Sequence, residues 1–356
     1  DAETEFTPQV LANVAARFES YSDFGERLTG KLAVRYQPSQ RVTFRAAAST
    51  GFRAPGLSQI AFGKVTTNVI EGEFIDVGVL PVDHPAAVTL GARPLEEETA
   101  FNFSGGVAVT PVENLTITAD YFHIRINNQI LLGATFDDSV TVAILRAGGF
   151  GFDAVQYFTN GLDTRAHGVD IAGNLRVPTG PNGTLDLTAS FNVTRNKIRN
   201  VDPLPQVLRD AGSSEPGLLD SVTAIGIEDE RPDWRGTLQA NFTASRLSAL
   251  GRLSYYGGFS SAQPGFCDLC RENYGGKGLV DAELGYRFNL VKLAVGVRNL
   301  FDTYPDQPSS TVVVDEDGST AKDFNDNFGT FPWAAASPFG YNGRFVYART
   351  EIQLAR

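Results

Sequence analysis

The dominant signal along this chain is an alternation of apolar and polar residues with a period of two. Between residues 184 and 194, one face carries only apolar side chains, namely Leu185, Leu187, Ala189, Phe191 and Val193. Because successive side chains of a β-strand point to opposite faces, the pattern predicts a strand with one apolar and one polar face. The pattern recurs and predicts about 12 strands in total, with further examples at residues 237–242, 280–288, 291–298 and 348–354.

The predicted strands are joined by connections that alternate between short and long. This layout is typical of membrane β-barrels, which have short periplasmic turns and long extracellular loops, and it predicts an all-β, antiparallel transmembrane barrel. In the second long connection, residues 138–147 predict a short helix that Asp138 or Ser139 caps and that Gly148 and Gly149 end. The short connections are 37–40, 110–114, 179–183, 244–249 and 289–290, and the long ones are 54–95, 127–156, 197–232, 258–277 and 301–341.

One predicted strand changes phase at an aromatic pair. Apolar residues occupy odd positions from Leu115 to Tyr121 and even positions from Phe122 to Ile126. Either a β-bulge at this pair restores a common apolar face, or the pair marks a membrane interface and the strand continues beyond it. His123 alternates with Phe122, and we predict that it is a polar residue facing the barrel lumen rather than a base.

Composition narrows the possible functions. The formal net charge of −11 argues against a nucleic-acid partner, because a phosphate backbone attracts basic surfaces. No apolar run is long enough for a membrane-spanning helix. The motifs of common hydrolases and phosphate-binding loops are missing, and His84, His123 and His167 are far apart in sequence, so no enzyme is predicted.

The chain has no methionine and begins with Asp1, which leads us to expect a processed or partial chain.

The two cysteines, Cys267 and Cys270, lie in a predicted loop with the sequence Cys-Asp-Leu-Cys. One interpretation is a small disulfide formed in an oxidising compartment. The other is a redox dithiol, although such a pair usually lies at a helix start next to a βαβ unit. A zinc site would need more cysteine or histidine nearby.

Three segments carry a set of motifs in a fixed order. Residues 49–59 contain Gly-Phe-Arg-Ala-Pro, residues 297–305 contain Asn-Leu-Phe-Asp-Thr-Tyr-Pro, and residues 337–347 read Ser-Pro-Phe-Gly-Tyr-Asn-Gly-Arg-Phe-Val-Tyr. Softer matches lie at 22–25 and 157–170. Together these segments resemble the TonB-dependent outer-membrane receptors. One departure is the end of the chain at Arg356, where the family usually has an aromatic residue.

The resemblance implies that residues 1–356 are the C-terminal portion of a receptor β-barrel in the outer membrane of a Gram-negative bacterium. The family barrel has about 22 strands, so the N-terminal strands and the plug domain are expected outside this chain, as partners beside the membrane lipid. The implied function is uptake of a scarce nutrient, such as siderophore-bound iron, cobalamin or an oligosaccharide. The TonB complex acts through the plug, and the barrel makes no covalent bonds.

Aromatic and carboxamide side chains in the predicted outer loops are candidates for ligand contact, because rings stack on sugars and aromatic chelators. The alternative is that these loops pack on themselves. The candidates are Tyr274, Asn325, Asn327, Phe331 and Trp333. Three carboxylates in the last long loop offer oxygen ligands to Ca²⁺, or they form a solvated acidic loop; they are Asp315, Asp317 and Asp323. No other cofactor is predicted.

Two other functions fit the same sequence. If the chain closes into a ring by itself, it is a passive pore, because barrels with as few as about 8 strands exist. If the plug has been lost, it is a scaffold subunit of a larger membrane assembly. An open half-barrel in lipid leaves unpaired backbone groups that each cost several kcal/mol, so we expect the remaining strands to exist elsewhere.

Overall fold

The computed structural model describes residues 1–21, 25–70, 73–215, 217–262, 271–308, 313–314, 320–321 and 332–353. Strands dominate these residues. They are β1 (Ala2–Thr7), β2 (Val10–Tyr21), β3 (Gly25–Ser39), β4 (Val42–Arg53), β5 (Lys64–Ile70), β6 (Glu73–Leu80), β7 (Glu98–Val112), β8 (Leu115–Leu132), β9 (Ala154–Pro178), β10 (Gly183–Val201), β11 (Trp234–Ala244), β12 (Leu247–Tyr256), β13 (Phe259–Ala262), β14 (Arg271–Tyr274), β15 (Lys277–Phe288), β16 (Val291–Arg298), β17 (Val313–Val314), β18 (Thr320–Ala321) and β19 (Phe345–Ile352).

Short helices interrupt the strands within the long connections. They are α1 (Leu57–Ala61), α2 (Pro85–Thr89), α3 (Ser139–Ala147), α4 (Gln206–Asp210) and α5 (Ser221–Glu228). The predicted helix is confirmed as α3, and the Asp138 side chain caps it by accepting a hydrogen bond from the backbone N–H of Thr141. Across the described residues, no helix is long and apolar enough to span a membrane.

Most strands belong to one large sheet, whose main path is antiparallel and follows the order of the chain, with β5 and β6 attached beside it. Its order is β1-β2-β3-β4-β7-β8-β9-β10-β11-β12-β15-β16-β19, which is 13 strands against the 12 or so expected. In the part of the chain that the structure describes, β1 pairs only with β2 and β19 pairs only with β16. The sheet is therefore open, and it is a portion of a barrel.

The strand register gives the sheet one apolar and one polar face, because directly opposed residues of antiparallel neighbours share a face. Leu238 lies opposite Leu253, and Gln239 lies opposite Arg252. Leu238 is 54% exposed although it sits in mid-strand, which is the situation expected of a side chain that faces lipid. Other exposed residues of the same outward face are Phe18, Leu28, Leu32, Phe44, Phe101, Phe103, Ile171, Phe191, Leu284 and Val295.

The opposite, inward face is polar and is crossed by ion pairs between strands. Arg176 Nε donates to Asp186 Oδ1 at 2.6 Å, joining β9 to β10. Arg349 donates to Glu283 at 2.6 Å, joining β19 to β15 across β16. Such pairs are satisfied inside a water-filled or plugged lumen and would be costly in lipid.

The aromatic pair Tyr121–Phe122 does not form a β-bulge. Both neighbouring strands keep an unbroken register through it, with Tyr121 opposite Gly105 of β7 and opposite Val169 of β9. The strand instead continues to Leu132, as expected from the alternative in which the strand runs on beyond the aromatic pair. His123 shares a face with Tyr121, so the prediction that it faces the lumen is wrong and its side chain lies on the outward face.

The connections separate the sheet into a turn end and a loop end. At the turn end, the two-residue turns 245–246 and 289–290 place Ser245 (φ 51) and Asn289 (φ 55) in the left-handed region, as tight hairpins require. The loop end carries five long connections, called loops 1 to 5, at residues 54–97, 133–153, 202–233, 257–276 and 299–344. The predicted alternation fails only between β2 and β3, where the loop-end connection is three residues long.

Candidate functional site

Loops 1, 2 and 3 pack together into a small hydrophobic core at the loop end, which we call the loop core. The most deeply buried large side chains of the described residues belong to it, and Phe136, Leu90, Leu145 and Leu208 are each 0% exposed. Its buried members are Leu80, Ala86, Ala87, Leu90, Phe136, Leu145, Val155, Tyr157, Leu208 and Leu218. Loops with a shared core hold a fixed shape, so they can present a preformed surface to a ligand.

Backbone pairing brings loops 1 and 2 to the outer end of β9. In loop 1, β5 and β6 form a hairpin, and β6 pairs in parallel with β9 from Val77 opposite Ala154 to Leu80 opposite Tyr157. Phe136 of loop 2 forms an isolated bridge with Val155 on the other side of β9. These strands bury the Tyr157 ring, and its burial raises the pKa of the phenol.

A buried carboxylate fixes the base of loop 1. Glu98, at the start of β7, is 6% exposed, and it accepts a hydrogen bond from Arg53 Nε at 2.8 Å and another from the backbone N–H of Ile130 at 2.8 Å. Arg53 belongs to the Gly-Phe-Arg-Ala-Pro motif, which therefore closes loop 1 by an ion pair between its two ends. The sequence marks Glu98 only as the last of three consecutive acidic residues, after Glu96 and Glu97.

Replacing Glu98 by alanine is expected to loosen the base of loop 1. The change removes an acceptor of charge-assisted hydrogen bonds and leaves the buried N–H of Ile130 unpaired, at a cost of about 2–3 kcal/mol. Limited proteolysis of the purified protein should then cut loop 1 faster. Glu113→Ala, which removes an exposed carboxylate at the turn end, is the matched control, and equal cutting of both variants would contradict the assigned role.

Asp138 connects two of the loops as well as capping α3. Its Oδ1 accepts from Thr141 N at 2.8 Å, and its Oδ2 accepts from Ser214 N of loop 3 at 2.6 Å. Partial burial alone would raise the pKa of Asp138, but the hydrogen bonds from Thr141, Ser213 and Ser214 outweigh it and lower the pKa from 3.8 to about 2. The ionised carboxylate is therefore the form that stabilises the loop core.

We expect the stabilisation from Asp138 to depend on acidity. Because the folded-state pKa is depressed, the contribution is complete above about pH 4 and disappears as the pH falls through about 2. Asp138→Ala should therefore destabilise α3 by about 1 kcal/mol at pH 7, and the amides of α3 should exchange their hydrogens faster. Near pH 2 the variant and the unaltered protein should exchange alike. Asp138→Asn retains one acceptor, and at pH 7 its exchange rate should lie between those of Asp138→Ala and the unaltered protein. If Asp138→Ala changes the exchange rate equally at both pH values, the ionised carboxylate is not the stabilising form.

Two neighbouring cavities open beside the loop core. The larger has a volume of about 780 Å³ and is lined by residues of β10, loop 3 and β14, including Arg209, Glu228 and Arg271. The smaller, of about 500 Å³, is lined by Arg93, Asn160 and again Arg209, among others. Both volumes suit small molecules. Both linings mix apolar surface with charged groups, and the smaller cavity adds carboxamide groups that can fix the orientation of a polar ligand.

Loops 4 and 5 form a second aromatic cluster, which contains two of the predicted ligand-contact residues. Tyr274 is 4% exposed and packs on Phe259 at 4.9 Å between ring centroids. Trp333 stacks on Tyr304 at 4.8 Å. Asp306 joins the loops, since it accepts from Gly275 N at 2.9 Å and its carbonyl accepts from the N–H of Ala334. Tyr274 thus packs on a ring of its own loop 4, and Trp333 packs on a ring of its own loop 5.

The remaining predicted site residues lie outside the described residues. These are the ligand-contact candidates Asn325, Asn327 and Phe331, the Ca²⁺ candidates Asp315, Asp317 and Asp323, and the cysteines Cys267 and Cys270. Within the described part of the chain, no group of three or more His, Cys, Asp or Glu side chains is placed to hold a metal ion.

The three histidines have different environments. His84 caps α2 by accepting a hydrogen bond from the backbone N–H of Ala86. His123 and His167 are far apart in sequence but lie directly opposite each other on β8 and β9, with 6.5 Å between ring centroids. Neither forms an ion pair with a carboxylate of the described residues, so this arrangement does not resemble a general-base site.

Comparison with known proteins identifies relatives. A family model described as TonB dependent receptor-like, beta-barrel matches residues 1–300. The comparison with curated proteins gave no match. Among solved structures, the ferric enterobactin receptor of Pseudomonas aeruginosa in complex with enterobactin matches with a TM-score of 0.65 and 16% identity, over 98% of this chain and 44% of that one.

Two other receptors match less completely. The siderophore receptor PirA from Pseudomonas aeruginosa matches with a TM-score of 0.54 and 17% identity, over 85% of this chain and 44% of that one. The FrpB iron transporter from Neisseria meningitidis matches with a TM-score of 0.56 and 12% identity, over 85% of this chain and 40% of that one. The chain thus spans less than half the length of these receptors, and the likeness concerns the fold.

Proposed function

Since this chain belongs to the TonB-dependent receptor-like β-barrel family, we propose that it is part of the outer-membrane barrel of a receptor that takes up a scarce nutrient. The observation that carries the proposal is the family match over residues 1–300. The outward apolar face and the inward ion pairs support a position in the outer membrane of a Gram-negative bacterium. The family consists of receptors and transporters, and we assign no catalytic step to the chain.

In this proposal the chain supplies the C-terminal portion of the barrel. Additional strands pair with the free edges of β1 and β19, and a plug domain outside residues 1–356 fills the lumen against the polar inward face. The TonB complex acts through that plug. The free edges count against a passive pore formed by this chain alone, because unpaired backbone groups in lipid are costly.

The nutrient that we propose first is iron bound to a siderophore. The solved receptors of similar fold are described as ferric enterobactin and siderophore receptors and as an iron transporter. The two cavities beside the loop core are the proposed region of ligand contact. Cobalamin and oligosaccharides are the alternative nutrients, and the uptake experiment tests them as well.

Uptake by intact cells tests the proposal. A strain that lacks the gene should lose uptake of radioactive iron supplied as a ferric siderophore, and a plasmid with the full-length gene should restore it. A strain that lacks TonB should show the same loss, because transport in this family depends on the TonB complex. If iron, cobalamin and oligosaccharide uptake all persist without the gene, the proposal fails. Uptake that needs the gene but not TonB would instead favour a passive pore.

Two finer assignments complete the proposal. A disulfide between Cys267 and Cys270 would suit an oxidising compartment, and mass spectrometry of the unreduced receptor after proteolysis would detect it. Asp315, Asp317 and Asp323 would hold Ca²⁺ through oxygen ligands. Calorimetry of the intact receptor that shows no heat of Ca²⁺ binding would exclude that site.

A further inference from the structure

Six basic residues form an ordered array on the outward face of the sheet, near the loop end. In one row across three strands, His123 of β8 lies opposite His167 of β9, which lies opposite Arg195 of β10. In the next row, two residues farther along each strand, Arg125 lies opposite Arg165, which lies opposite Lys197. We call these two rows the basic array. Strand geometry makes it about 10 Å by 7 Å.

The basic array begins one row beyond a girdle of aromatic side chains. The preceding row runs from Tyr121 through Val169 and Val193 to Trp234. Trp234 stacks on Tyr255 at 4.8 Å between ring centroids. Tyrosine and tryptophan on a lipid-facing surface mark the level of the lipid headgroups, so the array lies about 7 Å farther out, within reach of the headgroup phosphates.

Without a bound ligand, the basic array destabilises the folded protein. Like charges directly opposite each other on neighbouring strands destabilise a sheet, and Arg125, Arg165 and Lys197 are placed in this way in the outer row. Only two of the six side chains have an acidic partner among the described residues: Lys197 binds Glu228 at 2.9 Å, and Arg195 lies 3.6 Å from Asp233. The four on β8 and β9 have none. Arg165 Nε and His167 Nδ1 are buried atoms without a hydrogen-bond partner.

These observations point to an anionic ligand that completes the array. Arginine side chains bind phosphate oxygens through charge-assisted hydrogen bonds. The array is basic although the chain as a whole is acidic, with a formal net charge of −11. Phe103 and Phe101 of β7 lie opposite His123 and Arg125 and are 40% and 44% exposed. A ligand on this surface therefore meets apolar rings beside the cations, as a lipid does and an inorganic ion does not.

We propose that the basic array binds the phosphate groups of anionic lipids in the leaflet around the loop end of the barrel. The inference rests on the proposed membrane location but not on nutrient uptake. The headgroup phosphates lie over Arg125 and Arg165, and the acyl chains descend past Tyr121 and along the outward face. Bound lipid removes the repulsion within the array and so stabilises β8, β9 and β10 against one another.

Lipid retention by the purified full-length receptor in neutral detergent tests this inference. Native mass spectrometry should show tighter binding of phosphatidylglycerol than of phosphatidylcholine. The variant Arg125→Gln/Arg165→Gln should weaken phosphatidylglycerol binding by about thirtyfold, since each basic residue at an anionic surface contributes a factor of about five. Binding of phosphatidylcholine should not change. The control Arg235→Gln/Arg252→Gln removes the same charge from the inward face and should bind phosphatidylglycerol normally.

Three outcomes would overturn the inference. They are equal binding of the two lipids, unchanged phosphatidylglycerol binding by the outward variant, and displacement of the lipid by an equal concentration of inorganic phosphate. Heat-dependent gel mobility gives a second readout. Without anionic lipid, the outward variant should unfold at a higher temperature than the unaltered protein, because the opposed charges are gone; phosphatidylglycerol should reverse this order. Neither assay uses the nutrient or TonB, so failure here would leave proposed uptake intact.

Discussion

Replacing Phe136 by alanine is expected to destabilise the loop core by about 3–5 kcal/mol while the barrel sheet stays folded. The Phe136 side chain is fully buried between loops 1, 2 and 3 and packs on Tyr157 at 5.6 Å between ring centroids. Its removal leaves a cavity that the surrounding loops cannot fill, since their backbones are paired to β9. The sheet is independent of this residue because its strands pair below the loop core.

Hydrogen exchange measured by mass spectrometry on the full-length receptor checks this prediction. Amides of α3 and of the outer end of β9 should exchange about a hundredfold faster or more, because each 1.4 kcal/mol corresponds to about a factor of ten. Amides in mid-strand should not change. Phe62→Ala removes the same side chain from an exposed position in loop 1 and serves as the control. Unchanged exchange in α3 would show that the three loops do not share one core.

Leu238→Arg is expected to destabilise the barrel by about 2–4 kcal/mol in a lipid bilayer. Leu238 lies in the middle of β11, on the outward face and opposite Leu253. An arginine at this depth must lie in hydrocarbon or distort the bilayer to reach water, and both are costly. The same variant should cost much less in detergent, because a micelle lets water reach the charge more easily.

Thr237→Arg is the matched control, since Thr237 is the adjacent residue and lies opposite Ser190 and Ser254 on the inward face. Chemical unfolding of the full-length receptor in phosphatidylcholine vesicles would compare the two variants. A smaller loss for Leu238→Arg than for Thr237→Arg would mean that the faces of the sheet have been assigned the wrong way round. The comparison therefore tests which face points outward in every strand that is in register with β11.

Alternation of apolar and polar residues predicted the sheet because each strand has to satisfy lipid on one side and a polar interior on the other. This constraint acts on every residue of a strand, so the strand at residues 184–194 could be predicted from its own alternating pattern. The helix α3 was predictable for a similar reason: Asp138 and Gly148 supply its cap and its end within the same short segment. The five-residue helix α4 has no side-chain cap, and its Leu208 is buried in the loop core among residues of other loops.

His123 shows where the same rule stops working. It was assigned to the lumen because polar side chains of a membrane strand face inward, and this holds only within the hydrocarbon layer. Beyond Tyr121 the residues of the outward face become basic, while Phe122 and Ile124 lie on the inward face. The change fits an outward face that leaves the hydrocarbon layer in the proposed membrane position. The sequence contains this change of phase at Tyr121, and only the register with β7 and β9 distinguishes it from a β-bulge.

Residues of the candidate site were less predictable because they depend on pairing between distant segments. Arg53 and Glu98 are 45 positions apart, and Asp138 meets Ser214 from another loop. Neither contact follows from a local pattern. The aromatic residues Tyr274 and Trp333 stood out by composition alone, and the structure gives both a packing role.

The shared core of loops 1, 2 and 3 also limits how such receptors can be engineered or can diverge. A single loop transplanted from another receptor would arrive without the side chains that its neighbours bury against it. Leu90, Phe136 and Leu208 would then have to be matched together, one from each loop. New specificity should therefore be acquired by exchanging the three loops as one module, or by substitutions confined to the walls of the cavities beside their common core.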